Sequence, residues 1–313
     1  MKLTSVFILI ATLSVFSISS PVLGQTLSET DRIVDSLFIM SSSTLIQNQS
    51  LVEPSKKALA EMGVAAVPRM IAKLSSEDAR ERHAIADIFK RIGSVAIPAL
   101  TDALRDENLY ALRNAARCLG EIGDKSAVHA LLPLFSHAEY TVRETAVTSV
   151  GQCHDSTALS PCLALLADTV DVVRKSATVA IGRIADSRAI DALIDVLDDP
   201  HFSVRMSAVT ALVAIGRPAC DSLLARYAVL SDISKLLAFD VWASSHYKPA
   251  SSLMEKETRA SDPHVRGFAV SALAAVDPKK AHNRIKKMKA EETDLFVLSQ
   301  ISTAEKTMAL PKK

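Results

Sequence analysis

The sequence predicts an all-α fold, a right-handed α-solenoid of about eight short helical hairpins. The first observation behind this is a block of about thirty-one residues that recurs from near residue 50 to near residue 293. Read at one helix end, the blocks are Glu61-Met62-Gly63, Arg91-Ile92-Gly93, Glu121-Ile122-Gly123, Gln152-Cys153-His154, Arg183-Ile184-Ala185, Ala214-Ile215-Gly216, Ser244-Ser245-His246 and Ala275-Val276-Asp277. A fixed period of this size marks units too small to bury their own apolar face, which therefore stack. The second is composition: 49% hydrophobic residues, only 4% aromatic and 9 Gly, rich in Ala, Leu, Ile and Val, which suits thin layers of packed helices. The third is helical spacing within a block. Val173, Ala177, Ala180, Ile181 and Ile184 follow one another at helical intervals after Asp171. Ala185-Asp186-Ser187 then turns the chain into a second helix through Ala189, Ile190, Leu193, Ile194 and Leu197. Both helices are expected to span ten to fifteen residues, too short to persist alone in water, so stacking must hold them.

In chain order, residues 1–24 read as a signal peptide. Lys2 supplies the positive start, Leu3 to Phe16 the apolar stretch, and Pro21 a break. Val22-Leu23-Gly24 gives the small or apolar residues before a cleavage at Gln25. A signal anchor retained in the bilayer is the other reading, although the apolar stretch is short for a span. Export would place the chain in the periplasm or outside the cell. Residues 25–50 comprise a capping helix, Leu27 to Met40, started by Ser28 with Asp31 in the capping position, and a connector. The connector is expected to run from Ser41 to Ser55 through Pro54. Residues 51–293 hold the repeat array. Residues 294–313 add a C-terminal helix and a basic tail ending in Lys312 and Lys313.

One column stands out. At a single slot of the first helix stand Arg82, Leu112, Arg143, Arg174, Arg205, Lys235 and Arg266, and Arg113 follows Leu112 directly. Four residues earlier come Asp78, Asn108, Glu139, Ser231 and Asp262, residues suited to starting helices. In the remaining two repeats the acid is displaced, to Asp168 or Asp171 and to Asp199. The column is either a basic ladder for an anionic partner or a stacking ladder that ties adjacent repeats through fixed acceptors. An Arg fork suits the second role.

These residues resemble the HEAT-repeat superfamily, most closely its short PBS-lyase type. Val142-Arg143, Val173-Arg174, Val204-Arg205 and Val265-Arg266 carry the opening of that unit. Leu119-Gly120-Glu121-Ile122-Gly123-Asp124 carries its centre, and Ala127-Val128 to Leu131 and Ala189-Ile190 to Leu193 its second helix. The match is weakest over 231–262, where Trp242, His246 and Tyr247 replace small residues; Trp242 aligns with Leu119 and is expected in the core. Relatives with known activity include phycobilin lyase subunits and deoxyhypusine hydroxylase, which builds a di-iron site from His-Glu pairs. No His in this sequence is followed by Glu, so the resemblance carries over no metal or cofactor ligands. It implies instead a non-catalytic protein-interaction scaffold or adaptor. The alternative is an accessory subunit of a lyase-like enzyme complex that presents a protein substrate.

No catalytic or nucleotide-binding motif is present. His137-Ala138-Glu139 lacks the cysteine half of a zinc deaminase signature. Neighbouring side chains on a helix end point apart, so Cys153-His154-Asp155 cannot converge locally. Net charge is +1, from 36 basic and 35 acidic residues, which argues against a nucleic-acid coat. In such arrays the second helices line the concave face. Their outward slots hold Asp102, His129, Asp191, Asp195 and Asp221, a mildly acidic strip that reads as a protein contact face or as an ordinary solvated one. Lys279, Lys280, Arg284, Lys286, Lys287 and Lys289 crowd one late helix, either as a contact for an anionic surface or as a charged end cap. Cys153 and Cys162 occupy core slots on the two helices of one hairpin. They read as a disulfide, permitted by export, or as two small buried hydrophobes.

Overall fold

The computed structural model describes residues 27–309, and among them there is helix but no strand. The expected signal peptide, 1–24, and Lys312 and Lys313 lie outside the described residues. The chain divides into two compact units between Asp155 and Ser156.

The first unit opens with α1 (Glu29–Ser41). Ser28 Oγ accepts from the Asp31 N–H at 3.1 Å and the Asp31 carboxylate accepts from the Ser28 N–H at 3.2 Å, a reciprocal cap. Three hairpins follow: α2 (Gln49–Met62) with α3 (Val67–Ile71), α4 (Ala79–Ile92) with α5 (Ile97–Ala103), and α6 (Leu109–Ile122) with α7 (Val128–Leu131). The long helix α8 (Tyr140–Gln152) completes the unit. The second unit begins with α9 (Leu159–Ala164). Four hairpins follow it: α10 (Asp171–Ile184) with α11 (Ile190–Val196), α12 (Phe202–Ile215) with α13 (Arg217–Arg226), α14 (Asp232–Ser244) with α15 (Ser251–Glu257), and α16 (Pro263–Val276) with α17 (Pro278–Glu291). Helix α18 (Leu295–Ala309) ends it. Within each unit consecutive long helices pack side by side, α4 on α6 and α6 on α8, then α10 on α12, α12 on α14 and α14 on α16. Helix α18 takes the next place, its Phe296 ring 5.0 Å from His264 and 5.8 Å from Phe268 of α16. Each unit is thus a stretch of α-solenoid, the architecture the thirty-one-residue period predicts.

Two expectations are corrected. The second helices are not ten to fifteen residues long throughout: α3 has 5 residues, α5 and α11 have 7, and α7 has 4 followed by a 3-10 turn over Leu132–Ser136. Single 3-10 turns also enter several of them, as at Ser187–Ala189 before α11. Tertiary packing of the apolar face holds helices this short, since isolated ones would not persist. The connector is also shorter than Ser41 to Ser55, because helix starts again at Gln49 and carries Pro54 inside it. Pro54 is the sixth residue of α2, so its missing N–H forfeits only one intrahelical bond.

The repeating helix end has a backbone cause. Gly63, Gly93, Gly123 and Gly216 have positive φ, and so do His154, Ala185 and His246 at the same register. At these seven ends the chain leaves the long helix through a residue of positive φ, which is costly for a residue with a Cβ, whereas Asp277 closes α16 at φ −142°. Ala185 sits there at φ 54°, exposed. Ala185→Gly is therefore expected to raise stability by about 0.5–1 kcal/mol, read as a higher urea midpoint at unchanged slope. A lower midpoint would contradict this account of the turn.

Candidate functional site

The arginine column follows one geometric rule. Arg143 Nη1 donates to the carbonyls of His137 and Ala138 at 2.8 and 2.9 Å. Arg205 does the same to Asp199 and Pro200 at 2.8 and 3.1 Å, and Arg266 to Ala260 and Ser261 at 3.0 and 2.8 Å. Arg174 reaches the Asp168 carbonyl at 2.9 Å, and Arg82 the Glu77 carbonyl. Arg143, Arg174, Arg205 and Arg266 thus satisfy the carbonyls five and six residues back, and Arg82 the one five back, where the chain crosses from one repeat to the next. Arg174 and Arg266 also grip an acid further on with the rest of the fork. Arg174 holds Asp199 through Nε at 2.7 Å and Nη2 at 3.1 Å, and Arg266 holds Glu292 at 2.9 and 3.0 Å. Lys235 has no fork and, among the described residues, meets Asp232 alone, at 3.7 Å. In the repeat where Leu112 breaks the column, buried Asn114 donates to the Leu74 carbonyl at 2.7 Å. The sequence reading missed Asn114, although an Asn among buried Ala and Leu slots was its signal.

The helix starts divide. Asp78, Asn108, Ser231 and Asp262 accept from N–H groups of their own first turns, whereas Glu139 makes no such bond. Asp168 and Asp199 accept instead from the N–H two residues on, at 2.9 and 2.8 Å. Burial pushes the Asp199 carboxyl up, but the Arg174 fork and the His201 N–H outweigh it and hold it below the usual carboxylate range.

The predicted acidic strip is exposed but not bare. All five side chains, Asp102, His129, Asp191, Asp195 and Asp221, lie at the surface of their own units. In the second unit Arg226 bridges Asp191 at 3.0 Å and Asp195 at 3.2 Å. Asp221 accepts from the Tyr247 hydroxyl and lies 3.7 Å from Arg217. The strip there carries its own counter-charge, which single-row counting on the second helices could not reveal. The late basic helix is likewise split. Arg284 is buried and bound to Thr258, Nε to Oγ1 at 2.6 Å, Lys280 donates to Ser251 and Ser252, and Lys289 grips Glu305 at 2.7 Å. Lys279, Lys286 and Lys287 remain as its exposed face. Arg284 is removed from the predicted anionic contact, because its register faces the core beside Ala281, Ile285 and Met288.

All four cysteines are free and buried. Cys153 and Cys162 thus stand as two buried thiols in this structure. Cys153 Sγ contacts the Ser149 carbonyl at 3.4 Å, and Cys162 fills its own core slot. Burial raises the Cys153 thiol to about 11 and the Cys162 thiol to about 12, so neither is a thiolate near neutral pH. Among the described residues no group of three His, Cys, Asp or Glu side chains gathers as metal ligands would.

Two grooves lie on the long first helices, and a smaller one of about 390 Å³ lies on the second-helix side of the second unit, lined by Leu159, Ser160 and Leu163 among others. The first unit has a polar groove of about 560 Å³ lined by Lys56, His83, Asp87, Arg117, Glu144 and Gln152 among others. Much of its charge is internally matched: Lys56 meets Asp87 at 3.0 Å, and Lys90 meets Glu121 at 3.2 Å. The second unit has a groove of similar volume between α10 and α12, about 560 Å³, which is mainly apolar. Its walls include Val179, Phe202, Met206 and Ala214, with Lys175 and Arg183 at its α10 margin. Gly182 makes this groove possible, because a Cβ there would stand 2.8 Å from Ala211 Cβ and 2.9 Å from Ala211 Cα. The first turns of the long helices also expose large apolar side chains. Val172, Phe202 and Ile233 are 43%, 66% and 49% exposed in the second unit, and Leu109, Tyr110 and Tyr140 are 40–44% exposed in the first. Their signal in the sequence was an apolar residue at a slot outside the core pattern, directly after the helix start.

Residues 97–182 and 162–233 match the family model for HEAT repeats. No curated protein sequence matches the chain. Among solved structures, yeast importin-β (Kap95p) is similar with a TM-score of 0.56 at 14% identity, over 90% of this chain and 47% of that one. The E. coli protein YibA is similar with a TM-score of 0.50 at 17% identity, over 91% of this chain and 99% of that one. The CpcE–CpcF complex of phycocyanin lyase from Nostoc sp. reaches 0.39 at 19% identity, over 88% and 98%. The likenesses to importin-β and YibA concern the fold, an all-α solenoid built of HEAT-type hairpins.

Proposed function

We propose that this chain is a non-catalytic HEAT-repeat scaffold, or adaptor, that binds another protein. It would act after export through a signal peptide over 1–24, in the periplasm or outside the cell. HEAT repeats suggest a protein-interaction role in general. The single observation that carries the reading here is the repeated exposure of large apolar side chains at the first turns of successive long helices, Val172, Phe202 and Ile233 above all. Exposed apolar groups ordered on rigid helices, beside charged neighbours, are the groups that desolvate when a partner binds. Catalysis would instead need polar groups converging on one reacting atom. The acids and bases described above are mostly spent on stacking the repeats.

The test is crosslinking followed by recovery of the full chain from its own compartment. A reproducible protein partner, lost at neither low nor moderate salt, is the expected result. Recovery of lipid or polysaccharide with no protein would instead assign contact to the exposed face of Lys279, Lys286 and Lys287 and would sink the scaffold reading. Sequencing the N-terminus of the recovered chain checks the export step, with Gln25 expected as the first residue.

A further inference from the structure

The scaffold reading says that the chain binds protein but not where, or what kind. The groove between α10 and α12 answers both. It is lined along α10 from Lys175 to Arg183 and along α12 from Phe202 to Ala214. At 1.5 Å of rise per residue these walls run about 12 and about 18 Å, the length of two to three helical turns. The floor is closed by Gly182 and Ala211, whose near contact forbids any larger side chain there, so an occupant must supply the apolar bulk itself. Phe202 stands at one end, two-thirds exposed, with the Arg205 guanidinium 5.7 Å from its ring centre. That guanidinium is fixed by two backbone carbonyls, so Phe202 is backed by an ordered neighbour.

The groove also has a polarity. Lys175 is exposed at its α10 margin and makes no ion pair among the described residues. On the other side, past α12, lies Asp240 of α14. It sits at the register of groove residues Val179 and Thr210, five residues after the arginine column. Asp240 is half-buried, and among the described residues it has no hydrogen-bond or ion-pair partner; burial alone raises its carboxyl above the ordinary value. A carboxylate in this state gains more from an incoming cation than a solvated one does.

We propose that this groove receives an amphipathic helix of a partner protein: its apolar stripe fills the space beside Phe202, Val179 and Met206, its acidic edge meets Lys175, and its basic edge meets Asp240. The proposal rests on the scaffold reading and names its site. A helix fits the groove length with anchors one turn apart, at i, i+3 or i+4, and i+7. Lys175 on the α10 margin and Asp240 on α14, one helix beyond the α12 wall, carry opposite signs, which fixes its direction and rotation.

The experiment selects binders of the full chain from a displayed library of helical peptides about fourteen residues long, about four turns. The expected winners share the apolar stripe, with acids on one flank and Lys or Arg on the other. Phe202→Asp, at an exposed position and with folding checked by circular dichroism, should weaken them at least about tenfold, equivalent to about 1.4 kcal/mol. The double variant Lys175→Glu, Asp240→Lys should reverse the preference toward peptides with the flanking charges exchanged. Three results overturn the proposal: no enrichment, winners without the stripe, or equal binding to Phe202→Asp. Self-association abolished by Phe202→Asp also overturns it, since a second copy would then be the occupant. If crosslinking recovers the same partner with wild type and with Phe202→Asp, the groove assignment fails while the scaffold reading stands.

Discussion

Trp242→Ala is expected to destabilise the second unit by about 3–5 kcal/mol. Trp242 is fully buried, with the rings of Tyr227 and Phe239 5.7 and 6.0 Å away. Its Nε1 donates to the Cys220 carbonyl at 3.2 Å, a second bond beside the one that carbonyl accepts within its own helix, so alanine would leave a large void and remove one buried hydrogen bond. The neighbours cannot collapse into the gap, because Phe239 is itself fully buried on the same helix. Trp242→Phe keeps most of the volume and should cost markedly less. Urea unfolding followed by circular dichroism measures both. A solenoid is stabilised mainly by neighbouring repeats, so hydrogen exchange should report the loss first in α13 to α15. A loss below about 1 kcal/mol for Trp242→Ala would contradict the core assignment.

Arg174→Ala is expected to cost about 3 kcal/mol, because it strands a nearly buried carboxylate. The side chains of Arg174 and Asp199 are only 12% and 8% exposed, and the same guanidinium serves the Asp168 carbonyl. Arg174→Lys keeps the charge but loses the fork, and should recover only part of the loss. Arg174→Ala with Asp199→Ala should cost less than the two singles summed, since the second change removes the stranded charge. The pair also sets an acid limit. The Asp199 carboxyl is held low in the folded state, so its contribution is complete above its ordinary value near 3.8 and is lost as pH falls through the lower, folded value. The Asp35 carboxyl, held low by Arg69 and Lys73 against its burial, and the Glu292 carboxyl, held low by Arg266, act in the same direction. Acid titration should therefore unfold wild type later than Asp199→Asn. Coincident curves would remove the stacking role from the pair.

The two expectations differ in how far each could be read without coordinates. Trp242 in the core followed from its alignment with Leu119, a matter of register alone. The column Arg82, Arg143, Arg174, Arg205 and Arg266 was also visible as a column, but its acceptors were not. The carbonyls lie five and six residues back, in the crossing between repeats, and backbone carbonyls leave no letter in a sequence. Asp199 appeared only as a displaced acid, and its pairing with Arg174 depends on how two repeats stack.

The surface shows the same division more sharply. Asp191 and Asp195 were legible as outward slots of one helix, whereas Arg226, which bridges them, comes from the next hairpin. Arg284 read as one more cation in a basic run, and only packing against Thr258 turned it inward. The groove of Phe202 and Val179 was not legible at all, since it exists because Gly182 and Ala211 let two helices approach. By itself the sequence determined the all-α solenoid, the length of its repeat and the identity of the core slots. These depend on periodicity and on local backbone sterics, which act between residues a few places apart. Only the tertiary structure decided which charges are spent on stacking and which face is left open, because those depend on pairings across repeats.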